Sequence, residues 1–574
     1  MKLHKFSRMA VSLSTAIAFS AVAVAAADGA VYPVRYRAEV TSLNGMWAFE
    51  MDGKKGTIQV PGNWETQGWK TPQYGCVVDD KTGIYRRKFQ WNPLWKGRRV
   101  ILRFDGVLFS YEAKVNGKVV GGSGRAFNMS QFDITDVLIE GENEVEVAVR
   151  SRTKDDSWLF DTNDCWGICG IFRDVEIFSV PSKAWIADVA FTTKGRSWDA
   201  RVDVGGPRKS AAKVMTELRG AGEIELWTPQ TPKLYDLVVT LELDGEVIQK
   251  IVEHVGFRDI ETRRDGLYVN GVKIFIKGMN WNEIDPMEGR ALSFETFYRN
   301  MALMKSIGVN TIRTAHYPFS PRFYEIADSM GFWVIDEVPL ASRGRDILKR
   351  KEMRDEVIAR TAATIRRDRN HPCVLLWSIG NETWMTQNSV EALKCAKSID
   401  PTRPLVVPMI GAQMMEWLPE QEKHFDFGRY VDIYSGHYLS LEQMKKAEGL
   451  VDKPIMETEF AHCLKGFGAF EPSLKLMREH PDKWIGGCVW CWRDQALLTD
   501  GTTFAGFDVR KKTPWSDGER KGTKEDQGMW LPDGRLYDSW GAAATDGIVY
   551  PDLSPKPAFF RVKKEYVEEE GRAK

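Results

Sequence analysis

The sequence predicts a multidomain chain: an N-terminal β-sandwich of jelly-roll type, a second β module and a C-terminal (β/α)8 TIM barrel. Three observations carry that prediction. At 574 residues the chain is too long for one core. Up to Phe257, short alternating strands are broken by turn residues. After Arg258, apolar runs alternate with amphipathic helical stretches, and eight such runs are countable. Apolar strands separated by helices imply a parallel sheet covered on both faces, and eight units close a barrel. A doubly wound open sheet is the other arrangement this pattern allows.

Residues 1–27 read as a removed secretory leader. Lys2, Lys5 and Arg8 precede an apolar run from Met9 that ends in small residues before Asp28. A membrane anchor is the competing reading, but the run is rich in small residues and ends in a cleavage-like triplet. No later stretch reaches the roughly 18 apolar residues a bilayer span needs. The expected address is therefore the periplasm or the exterior. Lys plus Arg and Asp plus Glu are equal at 79 each, so nothing in the net charge draws the chain to nucleic acid or anionic lipid. Eight Cys in so long an exported chain do not make a disulfide framework. Cys488 and Cys491 read as core residues, because that spacing on a strand points them to opposite faces.

The jelly roll is expected over 28–181. Tyr111–Gly121 reads as a hairpin around Asn116-Gly117, and Phe132–Arg150 turns at Gly141-Glu142-Asn143. The second module, 182–258, has a hairpin at Asp244-Gly245. In the barrel, 259–574, the strands are expected at Lys273–Asn280, Asn310–His316, Phe332–Val338, Val374–Glu382, Pro404–Met409, Val431–Tyr438, Pro454–Phe460 and Ile485–Trp492. Phe294–Gly308 is a helix that Gly308 ends.

Barrel chemistry sits at the C-terminal ends of strands. Polar and aromatic residues gather there: Asn280 and Asn282, Arg313 and His316, Asp336 and Glu337, Asn381 and Glu382, His437 and Tyr438, Glu459, Trp490 and Trp492. Strands four and seven lie on opposite sides of the ring, so Glu382 and Glu459 face each other across the mouth. Two carboxylates about 5 Å apart suit glycoside hydrolysis, one giving a proton and one meeting the anomeric carbon. Paired acids also suit a metal, although the strand-end His residues are scattered rather than spaced as ligands.

The chain resembles glycoside hydrolase family 2 along nearly all of its mature length. "WSIGNE", ending at Glu382, is similar to the family's acid/base motif, and "KPIMETEFAH" to its nucleophile motif, at Glu459 rather than Glu457. "PGNWE", "GIYRRKF" and "CGIFRDVEI" resemble its sugar-binding jelly roll. "LWTPQTPKLYDL" resembles its immunoglobulin-like middle domain, and "GMNWNEIDP" and "IRTAHYP" its barrel opening.

The resemblance implies roles. Asn381 hydrogen-bonds the sugar 2-hydroxyl, Arg313 pairs with Glu459 and favours its ionised form, and Glu382 is partly protonated. His316 and Tyr438 touch the sugar or the nucleophile, and Trp490 floors the pocket. No cofactor is implied. Similarity is greatest to the bacterial β-galactosidase branch, where "EFAHCLKG" gives His462 and "DCWGICGIFRDV" gives Asp164 as sugar contacts. "DGIVYPDLSPKPAF" places Asp546 where that branch has an Asn. The branch's magnesium ligands are replaced by Ala341 and Arg343, so no metal is expected, and its large C-terminal β domain is missing. The Asn-x-Lys motif of the β-glucuronidase branch is not found. Arg343 and Arg345 near the rim nevertheless keep an acidic or sulfated sugar open.

The expected activity is a retaining exo-β-glycosidase acting on β-D-galactosides of oligosaccharides. A glucuronidase or galacturonidase, a non-catalytic glycan-binding protein and a metal-dependent hydrolase are the alternatives.

Overall fold

The structure is a computed structural model describing residues 40–70, 79–162, 166–220, 222–340, 345–383, 385–411, 413–417, 424–463, 467–495, 497 and 546–568. Four short strands between Thr503 and Tyr537 are also described. The expected leader, Asp164, Ala341 and Arg343 lie outside the described residues. No helix among the described residues is long and apolar enough to cross a membrane.

The first module pairs a six-stranded antiparallel sheet with a four-stranded one. Strand Glu142–Arg150 shows why the sheet packs. Val145, Val147 and Val149 alternate inward and are fully buried, while Glu144 and Glu146 point outward. The hairpin expected at Asn116-Gly117 joins Ser110–Val115 to Lys118–Ser123, with both turn residues at positive φ (51° and 78°). That backbone suits the twist of the flanking strands. The second module repeats the device at Asp244-Gly245, between Tyr235–Leu243 and Glu246–Val255.

The third module is a closed, wholly parallel eight-stranded barrel. Its strands are Ile276–Trp281, Thr311–Thr314, Trp333–Val338, Val374–Ile379, Leu405–Ile410, Ile433–His437, Ile455–Phe460 and Trp484–Val489. The open-sheet alternative is thereby excluded. Every residue of strands three, four and eight is buried, as expected of strands covered by helices on one face and filled by side chains on the other.

Several expected boundaries are corrected. Val272–Lys273 belongs to a hairpin sheet with Gly266–Val269, so strand one begins only at Ile276. Strand two stops at Thr314, before His316. Strand four stops at Ile379, because Gly380 (φ 77°) and Glu382 (φ 47°) turn the chain where the motif begins. Glu382 therefore sits on a left-handed turn after the strand, not in it. Cys491 likewise lies beyond the end of strand eight. The helix after strand one is Phe294–Ser306, capped by Ser293 and followed by Gly308 at φ 81°.

Buried polar contacts lock the first module onto the barrel. Arg173 donates to Glu283 Oε2 at 2.6 Å and to the Pro318 carbonyl at 2.7 Å. Arg360 donates to Asp161 Oδ2 at 2.9 Å, and both side chains are fully buried. Phe127 stacks on Tyr317 with centroids 3.8 Å apart.

Candidate active site

The strand ends converge on Arg313, which leaves strand two and is fully buried. Its Nε donates to Glu337 Oε2 at 2.8 Å, and Nη1 donates to Asn280 Oδ1 and Glu459 Oε1, both at 2.8 Å. Nη2 donates to Asn381 Oδ1 at 2.7 Å. One guanidinium thus ties together strands one, three and seven and the turn after strand four. Burial pulls its proton affinity down, but Glu337 and Glu459 outweigh burial and raise it, so the group is cationic throughout.

Glu459 has a second partner, the Tyr438 hydroxyl, which donates to Oε2 at 2.7 Å. Burial, and then Glu459, hold the Tyr438 phenol well above its ordinary range, so it remains a donor. The Glu459 side chain is only 5% exposed, whereas that of Glu382 is 26% exposed. One acid is enclosed and the other meets solvent. Oxygens of the two carboxylates lie within 4.8 Å of each other. His437 stands between them, with Nδ1 3.3 Å from Glu382 Oε1 and 3.5 Å from Glu459 Oε2. Its Nε2 is 2.8 Å from Thr458 Oγ1.

His316 has Nδ1 2.9 Å from Glu337 Oε1 and Nε2 3.7 Å from Glu459 Oε1. Burial, followed by the charge on Arg313, pushes it down to about 3, so the ring is neutral at working pH. It lies parallel to Trp490, with centroids 5.2 Å apart and planes 6° from parallel. Trp490 in turn donates from Nε1 to Asp546 Oδ2 at 2.7 Å. His462 completes this side, its Nε2 4.0 Å from Asp546 Oδ2 and its ring 5.6 Å from that of Tyr438.

Of the residues singled out from the sequence, Glu382, Glu459, Arg313, Asn381, His316, Tyr438, Trp490, His462 and Asp546 form one contiguous cluster. Asp164 lies outside the described residues; Trp166, two positions on in the sequence, donates to the Gln495 carbonyl just past strand eight. Asn280, Glu337 and His437 stood only among the strand-end polar residues, with no role assigned. Glu337 is fully buried, bonded to Arg313, His316 and Ser378, and raised by burial against the pull of Arg313. Glu457 is excluded from the site. It is fully buried, accepts from Leu439 N–H at 2.7 Å, and burial raises it well above the usual carboxylate range.

An enclosed carboxylate held by two donors, facing a more exposed one at such short range, can pair a nucleophile with a proton carrier. Glu382, His437 and Glu459 also present three donor atoms within 4.8 Å, a set open to a divalent cation.

Family models match three consecutive stretches: the glycosyl hydrolases family 2 sugar binding domain over 38–181, glycosyl hydrolases family 2 over 175–258, and that family's TIM barrel domain over 260–569. The chain belongs to glycosyl hydrolase family 2. The family resemblance read from the motifs and the three-module fold both stand. Among curated relatives, a beta-galactosidase of Pectobacterium atrosepticum is 28% identical over 584 residues, covering 88% of this chain and 52% of that protein. One of Kluyveromyces lactis is 28% identical over 643 residues, covering 91% and 59%. The chain thus spans about half the length of the curated relatives it matches. Among solved structures, a beta-D-glucuronidase of Dictyoglomus thermophilum aligns with TM-score 0.72 at 18% identity, covering 92% of this chain and 97% of that one. A beta-galacturonidase from Eisenbergiella tayi aligns with TM-score 0.72 at 21% identity, covering 92% and 96%. At such identities these likenesses speak for the fold alone.

Proposed function

We propose that this family 2 chain is a retaining exo-β-glycosidase that releases terminal β-linked sugars, β-D-galactosides above all, by double displacement. The observation that carries the reading is the approach of Glu382 and Glu459 to within 4.8 Å. Retaining enzymes hold their carboxyl groups about 5 Å apart, whereas inverting ones need roughly 6.5–9.5 Å to admit a water between them.

In this reading Glu459 attacks the anomeric carbon while Glu382 gives its proton to the departing glycosidic oxygen. Glu382 then takes a proton from water, which displaces the sugar from Glu459 and returns the nucleophile as a carboxylate. The greater exposure of Glu382 suits the partner that meets leaving group and water in turn. Arg313 and Tyr438 fix the Glu459 carboxylate in its attacking orientation. Arg313 also takes Asn381 Oδ1, which leaves the Asn381 amide N–H free to donate to the sugar 2-hydroxyl. Trp490 supplies an apolar face beneath the ring.

Support for a neutral sugar comes from Asp546, a buried carboxylate bound to Trp490 that would repel a uronate. The named beta-galactosidase relatives agree with that reading. A uronidase is the second reading, because the basic residues Arg343 and Arg345, in the segment after strand three, would suit a uronate carboxylate. A panel of nitrophenyl β-galactoside, β-glucuronide and β-galacturonide separates the two. Galactoside turnover with no uronide turnover is expected, and the reverse would overturn the substrate assignment. A 2-fluoro glycoside should label Glu459 covalently, and a label on another residue would sink the mechanism. Binding without turnover across the panel would mark a glycan-binding protein, and loss of activity in chelator a metal-dependent one. The enzyme is further proposed to act outside the cytoplasm after removal of residues 1–27, which sequencing the mature N-terminus would check.

A further inference from the structure

Far from the barrel mouth, a cavity of about 290 Å³ lies where the second β module meets the loops that feed strands four and five. Four cations line it: Lys194 from the module, Arg258 at the junction, and Arg369 and Arg403 from the loops. Asp259 is the acid in this lining, and its Oδ2 accepts the Gly195 N–H at 2.6 Å. Two of the guanidinium groups have counter-ions. Arg403 pairs with Asp400, and Arg369 Nη2 lies 2.7 Å from Asp188 Oδ1.

Arg258 has none among the described residues. It is 8% exposed, donating from Nε to the Pro372 carbonyl at 2.7 Å and from Nη2 to the Val374 carbonyl at 3.2 Å. Carbonyls satisfy those two donors without supplying an ion pair, and among the described residues Nη1 has no hydrogen-bond partner. The acids whose charge reaches Arg258, Asp400 and Asp328, are already bonded to Arg403 and His371. A guanidinium withdrawn from water without a counter-charge is unfavourable, so such groups are normally paired. Burial, and then the nearby charge on Arg403, push Arg258 down to about 9. Lys194, exposed at the rim, makes no ion pair among the described residues and offers a second free donor.

We propose that this junction is an anion site that takes a phosphate or sulfate group on Arg258 and Lys194. The group could be the free ion or an ester substituent on a sugar, and both present the same oxygens. Bound there, it would link the second module to the barrel. Arg258 and Arg403 both donate to the carbonyl of Val374, which opens strand four, so the ligand would brace the strand leading to Asn381 and Glu382. A ligand held only by the assembled junction stabilises the folded chain by mass action.

The test measures calorimetric binding and the thermal unfolding midpoint of the full chain. Its arms are inorganic phosphate, inorganic sulfate and galactose 6-sulfate, each at constant ionic strength. Saturable binding at one site per chain is expected, with the midpoint rising by about 2 °C or more. Arg258→Met should weaken binding at least tenfold and abolish the rise, while Glu459→Gln should keep both, separating this site from the barrel mouth. Tighter binding of the free ions than of the sugar ester assigns the site to the free ion, and the opposite order assigns it to an ester. Should Arg258→Met fail to fold, Lys194→Ala at the rim should weaken binding severalfold. Absence of saturable binding in all three arms, or unchanged affinity in the variant that folds, overturns the proposal.

Discussion

Replacing Arg313 with Met removes the guanidinium that Glu337 and Glu459 share. Taking away one member of a buried ion pair costs about 3–5 kcal/mol, because the other charge stays buried without a partner. Here two carboxylates are affected, but neither is stripped bare. Glu337 keeps Ser378 and His316, and Glu459 keeps Tyr438. The expected loss of folding stability therefore stays near about 3–5 kcal/mol rather than doubling. If about 3 kcal/mol of orientation is also lost at the transition state, kcat/KM falls at least a hundredfold, at about 1.4 kcal/mol per tenfold. Arg313→Lys should fall between, since an ammonium meets one carboxylate but cannot also reach Asn280 and Asn381 through a planar fork. Hydrolysis of a nitrophenyl galactoside, together with the unfolding midpoint, reads both quantities. An Arg313→Met enzyme within threefold of the parent in kcat/KM and unchanged in stability would refute the reasoning.

Glu382→Gln should lose about 10²–10⁴-fold on substrates with poor leaving groups but much less on a dinitrophenyl glycoside, which needs no proton. A uniform loss across leaving groups would argue against Glu382 as the acid. Asp546→Asn should narrow the preference for galactoside over glucuronide at least tenfold in kcat/KM, and an unmoved ratio would show that Asp546 does not read substrate charge. In the first module, burial raises Glu65 to about 8, although its Oε2 accepts the Cys169 N–H at 2.9 Å. The folded state therefore holds that proton more tightly than the unfolded one. Its contribution to stability is complete below about pH 4.5 and is lost as pH rises to about 8. Glu65→Gln should match the parent near pH 4.5 and melt higher at pH 8–9, and parallel midpoint curves would contradict the assignment.

Much of the fold was legible because barrel strands advertise themselves. Runs such as Val374–Ile379 are apolar at every position but one, and helices of regular period separate them. Strand ends were less legible. The stops at Thr314 and Ile379 depend on backbone turns such as those at Gly380 and Glu382, which no apolar pattern encodes. The opposed acids could be paired because strand number fixes angular position around the ring. Arg313 was seen as a partner of Glu459, but its reach to Asn280, Glu337 and Asn381 depends on side-chain direction within the barrel. His437 showed the same limit: a strand-end histidine in the sequence, it proves to stand between both carboxylates only once strands six and seven are in register. Asp161 and Arg360 are 199 positions apart and carry no shared motif, so their pairing left no trace in the chain's order.

The Asp161–Arg360 and Arg173–Glu283 contacts restrict how this chain could be cut or recombined. A barrel excised on its own would carry Arg360 and Glu283 to a newly bared face, each bereft of its counterpart, and the excised sandwich would carry the complementary scars. Fragments of this architecture are therefore poor building blocks for chimeras, and the sandwich and the barrel should be inherited, expressed and engineered as one piece.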